Sequence, residues 1–141
     1  MGKANIRDRA SRPLAAPIPD YDAIIDRLKA EFMEFANNAL DELDSLIEAG
    51  HAPNCDAEHI INAVRRSAHN LKGMGSSFGF PLITLLALRL EDYFIGRQVL
   101  DHEILSEAYS FINRMRETLE GRFDGVNEAD VMRTLPAKIG H

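Results

Sequence analysis

The chain has 141 residues, 45% of them apolar and 27% charged, a balance that fits one globular domain with a buried core and excludes wholesale disorder. With 16 Lys and Arg against 22 Asp and Glu the net charge is -6, which argues against nucleic acid or an anionic membrane as a general partner. Cys55 is the only cysteine, so neither a disulfide framework nor a cysteine-rich zinc site is expected, and the absence of a secretory core or a spanning apolar run predicts a cytoplasmic protein.

Residues 1–19 combine Lys3, Arg7, Arg9 and Arg12 with Pro13, Pro17 and Pro19, and read as an extended basic arm, because proline removes a backbone donor and fixes φ. From Asp20 the spacing changes: Ile24, Leu28, Phe32, Phe35, Ala39, Leu43 and Leu46 recur every three or four residues, which predicts a first helix capped by Asp20 and stopped by a left-handed Gly50. A second helix follows Asp56, with Ile60, Ile61, Val64, Ala68, Leu71, Gly75 and Phe78 on one face and Gly79 at its end. Pro81 opens a third, carrying Leu82, Leu85, Leu86, Leu90 and Tyr93 and closing near Gly96. Ile104, Leu105, Ala108, Phe111, Ile112, Met115 and Leu119 place a fourth from about Asp101 to Arg122, bounded by Gly121 and Gly125, and a short tail helix is expected over Asn127–Leu135.

No segment alternates as a half-buried strand does. The class is all-α, and four amphipathic helices with short connections predict an antiparallel up-down four-helix bundle over 20–124, flanked by the arm at 1–19 and a tail at 125–141.

On a helical wheel of residues 60–78, His69 falls roughly 150° from the centre of the apolar stripe and faces outward. Asn62, Arg65, Lys72, Gly73 and Ser76 share its side. Between His59 and Leu90 there is no Asp or Glu, while Arg65, Arg66, Lys72 and Arg89 stand there, leaving 12 cations against 22 acids elsewhere. A basic island around one imidazole favours a dianionic group on or near the ring. Gly73 costs a helix about 1 kcal/mol relative to alanine, and its position one turn after His69 leaves the imidazole uncovered for another molecule. Gly75 turns to the core and allows close packing instead.

Near neutral pH an ordinary imidazole, with a pKa of about 6.5, is largely uncharged and offers a lone pair that can accept a phosphoryl group. Lys72 can neutralise the transferred oxygens, and the lack of a carboxylate adjacent in sequence, which could activate water, predicts a long-lived product. His51, Cys55 and His59 recur at four-residue intervals, but Pro53 breaks the helix that a metal site would need and no fourth ligand is evident, so they read as loop residues and no metal is expected. Gly73-Met74-Gly75 follows no strand and is not a dinucleotide fingerprint. Phe32, Phe35, Phe78, Phe94 and Phe111 are core residues, whereas Phe80, Leu82 and Leu86 are expected to leave an apolar docking patch beside the site.

The segments Ala68-His69-Asn70-Leu71-Lys72-Gly73, Ser76-Ser77-Phe78-Gly79-Phe80 and Leu90-Glu91 together resemble the signature of histidine phosphotransfer (HPt) domains, and are most similar to the form found in chemotaxis-type histidine kinases. The resemblance covers roughly residues 65–93. It implies a four-helix bundle in which His69 carries phosphate on Nε2, Lys72 contacts the phosphoryl group, Gly73 gives access and Glu91 hydrogen-bonds the imidazole. Arg65 and Ser76 would belong to the phosphate and partner surface, Ser76 standing where the family often has glutamine. The partners implied are the receiver domains of a hybrid histidine kinase and of a response regulator, which bring their own Mg2+, so no cofactor is expected on this chain. Without a kinase or nucleotide site it is expected to be a carrier rather than an enzyme, stand-alone and monomeric. Two rival readings are a non-phosphorylated four-helix adaptor and a dimeric phosphoacceptor domain of a sensor kinase. In the latter the histidine is followed by acidic and proline-containing sequence, unlike Asn70-Leu71-Lys72.

Overall fold

A computed structural model of the chain describes residues 20–121 and Arg133; the expected arm at 1–19 and, apart from Arg133, the expected tail helix lie outside them. Among the described residues there are four α-helices and no strand: α1 (Tyr21–Gly50), α2 (Ala57–Gly75), α3 (Pro81–Tyr93) and α4 (His102–Leu119), with a 3-10 turn at Ser76–Phe78. Asp20, Asp56 and Asp101 each hold extended backbone and accept a hydrogen bond from the amide three residues on, Ala23 at 3.1 Å, His59 at 3.1 Å and Ile104 at 2.8 Å. Each cap satisfies an otherwise orphaned helix donor, an effect of about 1 kcal/mol. Pro81 starts α3 without a cap, at a position where its missing donor leaves nothing unpaired.

The helices form a closed ring: α1 packs on α2 and α4, and α3 also packs on α2 and α4. Directions follow from the cross-links. Gly50 approaches Leu105 while Asp41 and Asp44 meet Arg116, so α1 and α4 run oppositely. Lys72 meets Thr84 and His69 meets Glu91, so α2 and α3 do too. This is the up-down bundle expected of amphipathic helices with short connections. Phe32 and Leu40 of α1, Val64 and Leu71 of α2, Leu86 and Leu90 of α3, and Phe111 and Met115 of α4 are all fully buried.

Two expectations need correcting. At 30 residues α1 is about 45 Å long, against about 20 Å for the 13 residues of α3, so its apolar stripe overruns the bundle. Burial begins at Phe32; Ile24 is half-buried, and Leu28 is exposed together with Tyr21 and Ile25. Gly50, expected to close α1 in the left-handed region, instead lies buried in its last turn, where a Cβ would stand 2.7 Å from Leu105 Cδ2. Close approach to α4 explains this glycine. Left-handed closure occurs at Gly79 (φ 86°), where the chain reverses between α2 and α3. That reversal is pinned from a third helix, because Phe32 stacks on Phe78 at 5.2 Å and on Phe80 at 5.3 Å between ring centroids.

Candidate functional site

The site is built where α2 and α3 approach most closely. Gly75 has no side chain at a point where a Cβ would lie 2.6 Å from Thr84 Oγ1 and 2.8 Å from Thr84 N. Thr84 Oγ1 accepts from the Ser76 amide at 2.8 Å and donates to the Lys72 carbonyl at 3.0 Å, so the hydroxyl of α3 lodges on the amide–carbonyl pair at the end of α2 and ties the two helices together. The clamp fixes the register of the two helices. Two turns further along α3, beside the buried anchor Leu90, Glu91 is thereby brought level with His69.

His69 points outward, with 63% of its side chain exposed, and its Nδ1 lies 3.2 Å from Glu91 Oε2. The other carboxylate oxygen, Oε1, accepts from Lys72 Nζ at 2.7 Å. Glu91 is largely covered and Lys72 partly so. The Lys72 ammonium, through this hydrogen bond, holds the Glu91 carboxyl below its usual range; partial burial opposes the shift, and the charge of Lys72 and the neighbouring His69 reinforce it. An ionised carboxylate only accepts, so the ring atom facing Glu91 is the donor. In the neutral ring Nδ1 then carries the proton and Nε2 keeps its lone pair.

Two sequence expectations change at this point. A carboxylate does stand beside the imidazole, although none is near in sequence, because α3 supplies it. Both of its oxygens are engaged, so it is poorly placed to activate water. Lys72, expected to be available to incoming oxygens, is already bonded to Glu91.

Gly73 is exposed, and a Cβ on it would meet nothing within 4 Å, so none of the described residues requires glycine there. Ser76 is exposed at the top of the same face, its amide held by Thr84. Arg65 lies one turn before His69 on this side, whereas Arg66 lines a groove against α1 with Glu42 and Asn70. The basic island is therefore divided between two faces of α2. The expected apolar patch is not formed by Leu82 and Leu86, which are buried, and Phe80 is half-buried on Phe32. Those residues turn inward because Pro81 starts α3 directly above the core. Cys55 donates to the Gly50 carbonyl at 3.5 Å, and among the described residues no group of three His, Cys, Asp or Glu side chains is arranged to hold a metal. No described helix is long and apolar enough to cross a membrane.

Thr84 is the residue that sequence reasoning missed. A threonine within the apolar run after Pro81 carries no local sign of its role, which depends on how near α2 comes.

A family model for the Hpt domain matches residues 27–124, well over half of the chain, and the chain belongs to the Hpt domain family. Its members serve histidine phosphotransfer in two-component phosphorelays. No curated protein and no solved structure matches the chain.

Proposed function

We propose that this chain is a stand-alone phosphoryl carrier in which His69 takes a phosphoryl group from the aspartyl phosphate of one receiver domain and passes it to the aspartate of another. The observation that carries this reading is the His69–Glu91 contact at 3.2 Å, which engages Nδ1 and leaves Nε2 as the nucleophile on an exposed side chain. In the forward step the Nε2 lone pair forms a bond to phosphorus as the bond from phosphorus to the aspartyl oxygen breaks, and the aspartate leaves as a carboxylate. The ring becomes cationic, with its proton still on Nδ1 and facing the Glu91 carboxylate. The return step reverses each of these changes. Lys72, one turn from His69, moves from Glu91 to the phosphoryl oxygens as charge arrives. Gly73 leaves room for the partner, and Arg65 and Ser76 flank its approach. The receiver domain supplies the divalent ion, and this chain acts as a cytoplasmic monomer with a sedimentation mass near 15.8 kDa.

Incubation with a phosphorylated receiver domain tests the reading. Acid-labile label is expected on the wild type and not on His69→Gln. A wild type that takes no label from any receiver domain would leave an adaptor, and a dimeric mass would favour a sensor-kinase phosphoacceptor domain.

A further inference from the structure

One turn below His69, between the start of α2 and the segment that follows α3, a cleft of about 470 Å³ is lined by two arginines, Arg65 and Arg97, together with Glu58, Asn62, Phe94 and Gln98. Both arginines are incompletely paired. Arg65 Nε and Arg97 Nη2 have no hydrogen-bond partner among the described residues; both atoms are sealed from water, so an incoming group would meet the other nitrogens of each guanidinium. Among the described residues Arg65 meets no carboxylate within ion-pair distance, even though Glu58 lines the same cleft. Arg97 is held ready: its Nε donates to the Tyr93 carbonyl at 2.7 Å, and its guanidinium carbon lies 4.2 Å from the centre of the Tyr93 ring. Tyr93 is fixed in turn by donating its hydroxyl to Glu107. A planar guanidinium whose rotamers are already restricted loses little freedom when it pairs with an incoming group.

We infer that the Arg65–Arg97 cleft receives a carboxylate side chain of the docking receiver domain, as a second anchor beside the transfer site. The charge count selects the ligand. Two guanidinium groups and one Glu58 carboxylate leave a single positive charge, which matches a monoanionic carboxylate better than a dianionic phosphate. Position selects the partner. Four residues of helix separate Arg65 from His69, about 6 Å along the axis, so any domain that presents an aspartate to His69 also overhangs the cleft. One contact at His69 leaves a docked domain free to rotate about it; a second, charged contact one turn away fixes that rotation and speeds encounter.

The inference rests on the proposed carrier function, and its test separates the two. In the full chain, titration with sodium acetate at constant ionic strength is followed through the side-chain Nε–H resonances of Arg65, Arg97 and Arg66. Arg65 and Arg97 are expected to move along one saturating curve while Arg66 stays still; equal movement of all three, or none, overturns the cleft as a carboxylate site. R65Q/R97Q is then compared with wild type and with R66Q, using phosphoramidate as a small phosphoryl donor and a phosphorylated receiver domain as the protein donor. R97Q alone, changed at a residue outside the transfer site, is expected to take label from phosphoramidate as fast as wild type, while the KM of the double variant for the receiver domain rises at least tenfold and loses much of its salt dependence, and R65K recovers only part of the loss. Receiver kinetics that do not change, despite normal acetate binding by wild type, overturn the partner assignment. Failure of wild-type His69 to take label from either donor overturns the carrier function and the inference with it.

Discussion

The hydroxyl of Thr84 fills the space that a β-carbon on Gly75 would need, 2.6 Å from where that atom would stand. The next nearest groups are backbone, Thr84 N at 2.8 Å and the Phe80 carbonyl at 2.9 Å, which cannot swing aside as a flexible side chain can. Gly75→Ala should therefore push α3 away from α2 and destabilise the fold by about 1–3 kcal/mol. Gly50→Ala should cost less, because its nearest neighbours are the methyl ends of Leu105 and Leu100. Urea denaturation of the two variants checks the order, and a larger loss at Gly50 would contradict it.

Gly73 predicts the opposite sign. With nothing within 4 Å of its missing Cβ, Gly73→Ala should stabilise the isolated protein by about 0.5–1 kcal/mol through helix propensity alone. Gly73→Leu should keep or raise helicity yet slow transfer from a receiver domain. Unchanged transfer kinetics in the leucine variant would remove the access role assigned to this glycine.

Thr84→Val keeps the shape of the side chain but removes the hydroxyl that joins α3 to the Ser76 amide and the Lys72 carbonyl. A loss of about 1–2 kcal/mol is expected, with Thr84→Ser retaining most of the stability. If valine and threonine denature at the same urea concentration, water replaces the hydroxyl and the clamp contributes nothing.

Lys72→Ala removes the group that holds the Glu91 carboxyl below its usual range, so the pKa of Glu91 should rise. Carbon-detected NMR titration of the Glu91 carboxyl measures this directly. Transfer should slow by about tenfold or more, because charge compensation at the phosphoryl oxygens is lost. The melting temperature should move by only about 3 °C or less, since a partly exposed ion pair adds little stability. Parallel losses in rate and melting temperature would mean that Lys72 acts through the fold.

The same depressed carboxyl sets a pH window. Its folded pKa lies below the unfolded value, so its stabilising contribution is complete above the ordinary carboxylate range, about pH 4.3, and disappears as pH falls through the folded value. As pH falls below the ordinary carboxylate range the wild type should therefore lose stability more steeply than Glu91→Gln, with parallel curves above about pH 5. Parallel curves across the whole range would mean that Glu91 binds protons alike in the folded and unfolded chains.

Much of this architecture was legible because it is local. The caps at Asp20 and Asp56, the proline start and the stripes of the second to fourth helices depend on neighbours a few residues away and lie close to where the sequence pattern put them. The outward turn of His69 was legible for the same reason. Features set by contact between distant segments were not. Gly50 resembles a helix stop until α4 is seen pressing on it, and Leu28 resembles a core residue until the neighbouring hairpin proves too short to cover it. Thr84 over the end of α2, and Arg116 bridging Asp41 and Asp44, join positions far apart in sequence and leave no periodic trace. Glu91 was found through family resemblance; spacing alone would have left it an ordinary charged residue.

The Phe32 ring, sandwiched against Phe78 and Phe80, ties the hairpin that bears the imidazole to α1. Sliding α2 past α3 would mean unstacking both rings, so the hairpin behaves as a braced strut rather than a hinge. On the proposed carrier function, the phosphoryl group would be a mark on an unmoving post, and whatever reads it would have to recognise the mark itself.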